Sequence, residues 1–469
     1  MSAPILNSNA NSALISTLSS SDALVNPFEY SLEKMLPFGA KYTTEVQPVQ
    51  GAGQTFSANS VIDFDLPKWG MLKNICLNFG VINGASVVAN LSQIGILALI
   101  DNIELLSSSR RILNLTYKDI MCLISDYPKP QRSGINDYLK ETGANQTAAS
   151  YNSFDSPHYS LQIPFALFFN HKINPNLLFQ EPLRVRIHLS DCKISGTAGA
   201  GNTATVRVAH SVYDPMLSCE YFNPPRELED KTIQENYGDG SLSVVCYDFH
   251  DETEVVSQTP YFRNTDYDLG NYLECEIKDV GVVSDIYFMV SLDQENIVSG
   301  DKGTAAASEE NTITGVLHQR HRCAEPIVRC ELTANGQVIY AKTYEEMRVY
   351  GRKSDGKDPY TMGAELSATS TFNNVFKIPL CLSDDKRYPC GGVSMRELHN
   401  VRLRVWLKGD TGATGSTSNL PSVLPADNVL ETGETSKNSI KPSLKVMLKK
   451  YQILTTESAS GRVITSVAN

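Results

Sequence analysis

The sequence has few tryptophans, a deficit of basic charge and no long apolar run. Trp69 and Trp406 are the only two tryptophans in 469 residues, which is poor support for an exposed aromatic platform of the kind that stacks on sugars. Lysine and arginine total 41 against 52 aspartates and glutamates, for a net charge of −11. A protein whose main partner is nucleic acid needs a concentrated basic surface, so no direct nucleic-acid binding is expected. No stretch of 18 apolar residues is present to span a bilayer, and the first thirty residues carry no basic segment ahead of an apolar one, so neither a transmembrane helix nor a secretory signal is expected. The ten cysteines are scattered from Cys76 to Cys390 without the dense spacing of a disulfide-stapled scaffold, which fits reduced thiols made in a cytosol. The sequons at Asn90, Asn114 and Asn145 are then expected to go unused.

What is present is a long, ordinary globular composition, 41% hydrophobic and 20% charged. Single cores stop growing at roughly 250 to 300 residues, so two large domains are the simplest fit. Residues 1 to 26, rich in Ser, Asn and Ala with Asp22 as the one charge, read as an arm that gains order by docking. From Pro27 onward short runs of β-branched and aromatic residues alternate with turn signals such as Gly51-Ala52-Gly53, Asn83-Gly84 and Asn335-Gly336, the texture of an all-β sandwich. Leu183 to Leu189 alternates strictly between apolar and polar, which predicts a strand with one buried face. Helical spacing is confined to two short segments, Tyr117 to Ile124 and Tyr344 to Tyr350.

An internal repeat fixes the architecture. Glu104-Leu105, Ile112 and Thr116-Tyr117 recur as Glu331-Leu332, Ile339 and Thr343-Tyr344 at an offset of 227. Ile163-Pro164 matches Ile378-Pro379, and Leu183 to Leu189 matches Val401 to Leu407, in the same order. The first match reads as a strand, a polar turn, a second strand and a threonine that starts a short helix. The expected organisation is an N-terminal arm (1–26), a first sandwich (27–222), a proline-stiffened linker (223–226), a second sandwich (227–455) and a C-terminal tail (456–469). Long polar stretches at 127–156, 195–205, 293–311, 350–371 and 409–436 are expected to be functional or disordered loops.

With these segments in view, the chain resembles the double jelly-roll major capsid proteins of nucleocytoplasmic large DNA viruses. Ile62 to Leu72 is similar to the family's strand-to-strand corner, and Leu99 to Leu105 to the strand before its first short helix. Leu161 to Phe169 followed by Leu183 to Leu189 resembles its Pro-Phe-aromatic segment and the next strand, and Tyr388 to Arg396 its Gly-rich loop. The resemblance covers about residues 27 to 455. It implies an all-β fold of two tandem eight-stranded jelly-roll sandwiches with short helices in the connecting loops. It also implies a non-enzymatic shell protein that forms homotrimers, and these pseudo-hexagonal capsomers tile an icosahedral shell. The implied partners are neighbouring capsomers, minor capsid and penton proteins, and an internal membrane near the N-terminal arm. The implied location is the virion, with assembly in the host cytoplasm.

The residues offer no catalytic, cofactor-binding or metal-binding set. His318, His321, Cys323 and Cys330 could begin a zinc site, but paired Cys-x-x-Cys or His-Glu-x-x-His spacing is missing and a strand-edge loop is the better reading. Cys381 and Cys390 could bridge in oxidising surroundings, although free thiols are favoured. Gly196 to Thr203 lacks the ending of a phosphate loop and reads as a hairpin tip, and Asp251-Glu252 reads as solvated loop charge. Lys441, Lys445, Lys449 and Lys450 read as a final edge strand with lysines facing solvent or a neighbour, or else as a face meeting anionic lipid or an acidic protein. Two other functions compete with the shell protein: a β-sandwich that binds or cleaves carbohydrate, and a minor vertex or internal scaffold protein of the same virion.

Overall fold

Strict alternation does form a strand at Leu183–Leu189: Leu183, Val185, Ile187 and Leu189 are buried while Arg184, Arg186 and His188 are partly solvated. The computed structural model describes residues 40–67, 71–83, 87–90, 97, 99–107, 110–125, 158–165, 183–190, 194–198, 205–208, 210–223, 241–256, 272–291, 327–343, 346–347, 375–381, 391–407, 443–457 and 463–467. In the first half these hold β1 (Ala40–Val46), β2 (Thr55–Ser57), β3 (Val61–Asp65), β4 (Met71–Asn83), β5 (Val87–Asn90), β6 (Ile100–Ser107) and β7 (Arg110–Thr116). Helix α1 (Tyr117–Ser125) follows, then β8 (His158–Gln162), β9 (Leu183–Leu189), β10 (Ile194–Ala198), β11 (Thr205–Val208) and β12 (His210–Asn223). The second half holds β13 (Ser241–Asp251), β14 (Val255–Val256), β15 (Tyr272–Glu276), β16 (Val282–Ser291), β17 (Ile327–Ala334) and β18 (Gln337–Thr343). It continues with β19 (Phe376–Pro379), β20 (Val393–Ser394), β21 (Arg402–Leu407), β22 (Ser443–Glu457) and β23 (Val463–Val467).

The two halves share one topology. In the first, β1-β12-β4-β8 forms one antiparallel sheet and β3-β9-β6-β7 the other. In the second, the orders are β13-β22-β16-β19 and β15-β21-β17-β18. The first strand of each half lies beside the last long one, and apart from the hairpins β6–β7 and β17–β18 successive strands of these four sheets alternate between the two sheets of their half, which is the doubled Greek key of a jelly roll. The all-β, twin jelly-roll expectation is met. Smaller additions decorate it: β5, β10 and β11 form their own sheet, β20 pairs with β16, and β23, within the expected tail, pairs with β22.

The repeated residues occupy repeated positions. Glu104 pairs across to Arg186 and Leu105 to Val185, while Glu331 pairs to Arg404 and Leu332 to Leu403. Each arginine also meets a carboxylate on the strand at its other side. Arg186 Nε lies 2.7 Å from Asp63, and Arg404 Nε lies 2.5 Å from Glu274, so both sandwiches carry an acid–arginine–acid row on the outer face. Opposite charges directly across strands are worth about 0.2–1 kcal/mol and fix register more than they add stability. Inside, Phe64, Ile75, Phe79, Val185 and Tyr221 fill the first core, and Ile286, Phe288, Leu332, Phe376 and Leu403 the second.

Turn chemistry follows the sequence closely. Asn335 and Gly336 both have positive φ, 54° and 75°, as the two-residue hairpin joining β17 to β18 requires. The first expected helix is α1. Of the second, Glu346 and Met347 are helical and the remainder lies outside the described residues, as do the arm, the linker prolines and most of the long polar stretches. Among the described residues no helix is long and apolar enough to cross a membrane.

Candidate functional site

Helix α1 begins at the end of β7 because Thr116 and Asp119 cap it reciprocally. Asp119 Oδ2 accepts from the Thr116 amide and hydroxyl, each at 2.8 Å, and the Asp119 amide donates to Thr116 Oγ1 at 3.3 Å. The helix buries Ile120 and Cys122 in the first core and sends Lys118 across to the second sandwich, where its Nζ lies 2.5 Å from Asp251 Oδ2 at the end of β13. Asp119 itself is only 2% exposed. Burial first, and the Asp251 charge second, push its carboxyl well above the usual carboxylate range.

The sheet β13-β22-β16-β19 has two buried faces, which explains why nearly every residue of β16 and β22 is inaccessible. Ile286, Phe288 and Leu448 belong to the second sandwich's own core, whereas the alternate residues Tyr287, Met289 and Met447 join the core of the first. Charges on the latter face are neutralised internally. Asp285 lies 3.3 Å from Lys377 and 3.6 Å from Lys449, whose ammonium sits 4.4 Å from the centre of the Tyr247 ring.

A third group ties β13 to the β15–β16 turn. Glu252 Oε1 accepts the amides of Lys278 and Asp279 at 3.0 and 3.3 Å, and Asp279 accepts Lys450 Nζ and the Gly281 amide, both at 2.8 Å. Burial at Asp279 is outweighed by these donors, so its carboxyl is held below its ordinary value. At Asp248 burial prevails instead and pushes the carboxyl up to about 6, against the opposing pull of the Phe249 amide, Lys450 and Arg111.

The second sandwich repeats the cap in the open. Glu346 accepts from the Thr343 amide at 2.9 Å and hydroxyl at 3.3 Å, at the same offset of 227, but Glu346 is exposed. Its carboxyl is held low, chiefly by the Thr343 amide. Likewise Ile112 on β7 is 3% exposed and its repeat partner Ile339 on β18 is 47% exposed, beside Val338 at 53%.

Several sequence expectations change at this seam. Asp251 and Glu252 are not solvated loop charges, because Asp251 ends a strand against Lys118 and Glu252 is buried as a backbone acceptor. Strand β22 is not a final edge: it is flanked by β13 and β16, its Lys445 and Lys449 are buried, and Lys449 and Lys450 are paired with aspartates. Lys441 lies outside the described residues, as do His318, His321, Cys323, Cys390 and Trp69. Cys330 is buried in the second core, 3.3 Å from Met347 Sδ, and the Cys381 thiol lies 3.7 Å from Asp285 Oδ1. Gly196 to Ala198 belong to β10, which pairs antiparallel with β11, and are strand rather than hairpin tip; 199 to 203 lie outside the described residues. Trp406 is 8% exposed beneath Arg329, whose guanidinium sits 4.2 Å above its ring. Burial pushes the thiols of Cys219, Cys246, Cys275 and Cys330 up to about 12, so none of the four is a thiolate near neutral pH. Among the described residues no three His, Cys, Asp or Glu side chains gather as metal ligands. Sequence reasoning passed over Asp119 and Asp285, although the recurrence of Thr-x-x-acid at Thr116 and Thr343 marks the first.

No family model and no curated protein matches the chain by sequence. Solved structures do. The crystal structure of PBCV-1 VP54, fitted into a cryo-EM reconstruction of the virophage Sputnik, superposes with a TM-score of 0.62 at 12% identity, covering 94% of this chain and 100% of that one. The 3.5 Å cryo-EM structure of the Sputnik virophage gives 0.55 at 10% identity over 94% and 91% of the two chains. The Faustovirus major capsid protein gives 0.52 at 10% identity over 95% and 97%. With more than nine-tenths of both chains matched in each comparison, the fold of this chain is that of the double jelly-roll major capsid proteins.

Proposed function

We propose that this chain is the major capsid protein of a large DNA virus, a non-enzymatic subunit that trimerises into pseudo-hexagonal capsomers and tiles an icosahedral shell. The observation that carries the reading is the unequal exposure of one repeated residue, Ile112 at 3% and Ile339 at 47%. In the first sandwich β7 and α1 lie against β13 of the second, a head-to-tail contact between unlike surfaces. The same surface on the second sandwich, β18 with its Thr343–Glu346 cap, is left open. A head-to-tail contact repeated from chain to chain closes a ring, and three chains of two sandwiches supply six positions around its axis. The buried and salt-linked seam supports this role, since tiling needs a fixed angle between the sandwiches.

In this reading the sandwiches span 27–222 and 227–455 with a linker at 223–226, and the 1–26 arm faces the interior. There it would meet minor capsid proteins or an internal membrane, while neighbouring capsomers and penton proteins contact the rim. Assembly would take place in the host cytoplasm. The burial of Trp406 gives a sugar-binding platform no support. Light scattering on the purified chain tests the proposal: three chains of 51.6 kDa give a species of about 155 kDa. A stable monomer at micromolar concentration would overturn it.

A further inference from the structure

The seam between the sandwiches has a counterpart whose two sides both face outward, and the strand registers identify it residue by residue. The bulges of the two halves coincide. Lys73 is the extra residue of β4 against β12, as Ser284 is of β16 against β22, and Ile112 and Ile339 are the extra residues of β7 and β18. From these fixed points Asp251 on β13 corresponds to Glu45 on β1, Asp285 to Asn74, Lys449 to Glu220 and Lys377 to Gln162. By the offset of 227, Arg111, Lys118 and Asp119 correspond in sequence to Val338, Glu345 and Glu346. Lys118, Arg111, Lys377 and Lys449 each act on an acid of the internal seam. Their counterparts are two glutamates, a valine and a glutamine. The apolar filling changes in the same direction: buried Tyr287, Met289 and Met447 are matched by half-buried Cys76, Asn78 and Ser218. Only a neutral remnant of the Asp285–Lys377 pair persists, Gln162 Nε2 donating to Asn74 Oδ1 at 3.0 Å.

Resting on the capsomer reading above, we propose that β18 and the Thr343–Glu346 cap of one copy dock on the outer face of β1, β12, β4 and β8 of a second copy, and that the glutamates meeting there make this contact tighten as salt rises or pH falls. The second copy is the occupant because the contact continues the internal one, with each side the repeat of a surface already paired inside the chain. Val338 and Ile339 supply its apolar part. Glu45 and Glu346, both exposed in the single chain, stand where the internal seam has Asp251 and Asp119. Beside Glu346 is Lys342 of its own strand, and beside Glu45 are Ser218 and Glu220 of β12, with Lys73 exposed in the adjoining bulge of β4. Where Lys118 answers Asp251 within the chain, carboxylate faces carboxylate between chains. Salt screens that repulsion and a proton abolishes it. Assembly therefore binds protons more tightly than the separate chains do. Its acid gain is fully present below the ordinary carboxylate range and is lost as pH rises through the values raised by assembly. The internal seam is thus fixed, and the seam between copies responds to the surroundings.

The test is subunit exchange between two preparations of the full chain, labelled at the N-terminus with donor and acceptor dyes and followed by energy transfer, with light scattering to give the mass. In the wild type, dissociation and exchange should slow by about tenfold from low to high salt, and again from neutral to mildly acidic pH. Glu45→Lys places a cation opposite Glu346, so at low salt its trimer should be at least about tenfold tighter, and salt should now weaken it. Glu45→Gln, a smaller change at the same exposed position, should flatten the salt response without reversing it, and circular dichroism checks that both variants fold. A wild-type trimer that loosens with salt, or one indifferent to Glu45→Lys and Glu45→Gln, overturns the receiving face and leaves the capsomer reading standing. A chain that stays monomeric under every condition, with either substitution or neither, overturns both.

Discussion

Lys118 and Asp251 join the two jelly rolls through a 2.5 Å ion pair whose partners are each less than a third exposed. Its removal leaves Asp251 and Asp119 without their nearest cation. Lys118→Met should therefore cost about 2 kcal/mol, the usual worth of a hydrogen bond to a charged group. Asp251→Asn in the same chain should recover part of the loss. A double-mutant cycle in urea checks this, and strictly additive losses would show that the two side chains do not interact.

Gly392 is fixed by contact rather than by backbone angle. A Cβ at this position would stand 2.7 Å from the Val283 carbonyl oxygen and 3.2 Å from its carbon, both backbone atoms that cannot swing aside. The neighbouring Gly391 carbonyl accepts the Tyr451 hydroxyl at 2.8 Å, so β20 is clamped between β16 and β22. Gly392→Ala should push β20 off β16 and destabilise the fold by about 1–3 kcal/mol, the cost of overpacking. A denaturant midpoint equal to that of the wild type would show that the strand can shift freely.

Asp248 makes stability fall with pH over a definite interval. Well below its ordinary value of 3.8 the carboxyl is protonated whether folded or unfolded, and the group adds no penalty. Between that value and about 6 the unfolded chain ionises while the folded chain keeps its proton, so folding loses ground until the folded carboxyl also ionises. The loss should be on the order of 1–3 kcal/mol. Asp248→Asn should remove that share of the slope, and urea midpoints across the interval from below 3.8 to above 6 measure it. An unchanged slope would assign the titration to another group.

Local chemistry was legible in the sequence and long-range burial was not. Strict alternation located β9, Asn335-Gly336 located the β17–β18 hairpin, and Thr116 located the start of α1, because each depends on a few adjacent residues. The repeat revealed two like halves because both preserve the Glu104–Arg186 and Glu331–Arg404 pairing. Strand β22 was misread because Lys445 and Lys449 look like edge lysines, and the Asp285 that neutralises Lys449 lies on a strand far earlier in the chain. The same holds for Asp251, whose partner Lys118 comes from a helix of the other sandwich. Burial between domains leaves no period in the sequence of either one.

The open edge of the second sandwich allows assembly to be separated from folding. Val338 and Ile339 on β18 are 53% and 47% exposed, so Val338→Asp or Ile339→Asp removes little that folding buries, and stability should change by about 0.5 kcal/mol or less. If β18 is the surface that docks on a neighbouring copy, the same substitution buries an unpaired carboxylate in the interface, a cost of several kcal/mol for each contact and threefold in a trimer. The expected outcome is a folded monomer of 51.6 kDa with wild-type circular dichroism in place of a species near 155 kDa. Arg111→Asp, at the equivalent of Val338 on β7, serves as the control: it reverses a charge that acts on Glu104 and Asp248 within the chain, so it should lower stability and leave the mass unchanged. A trimer that survives both β18 substitutions would place the contact between chains on another surface, because a desolvated charge cannot be tolerated three times over in a tight ring.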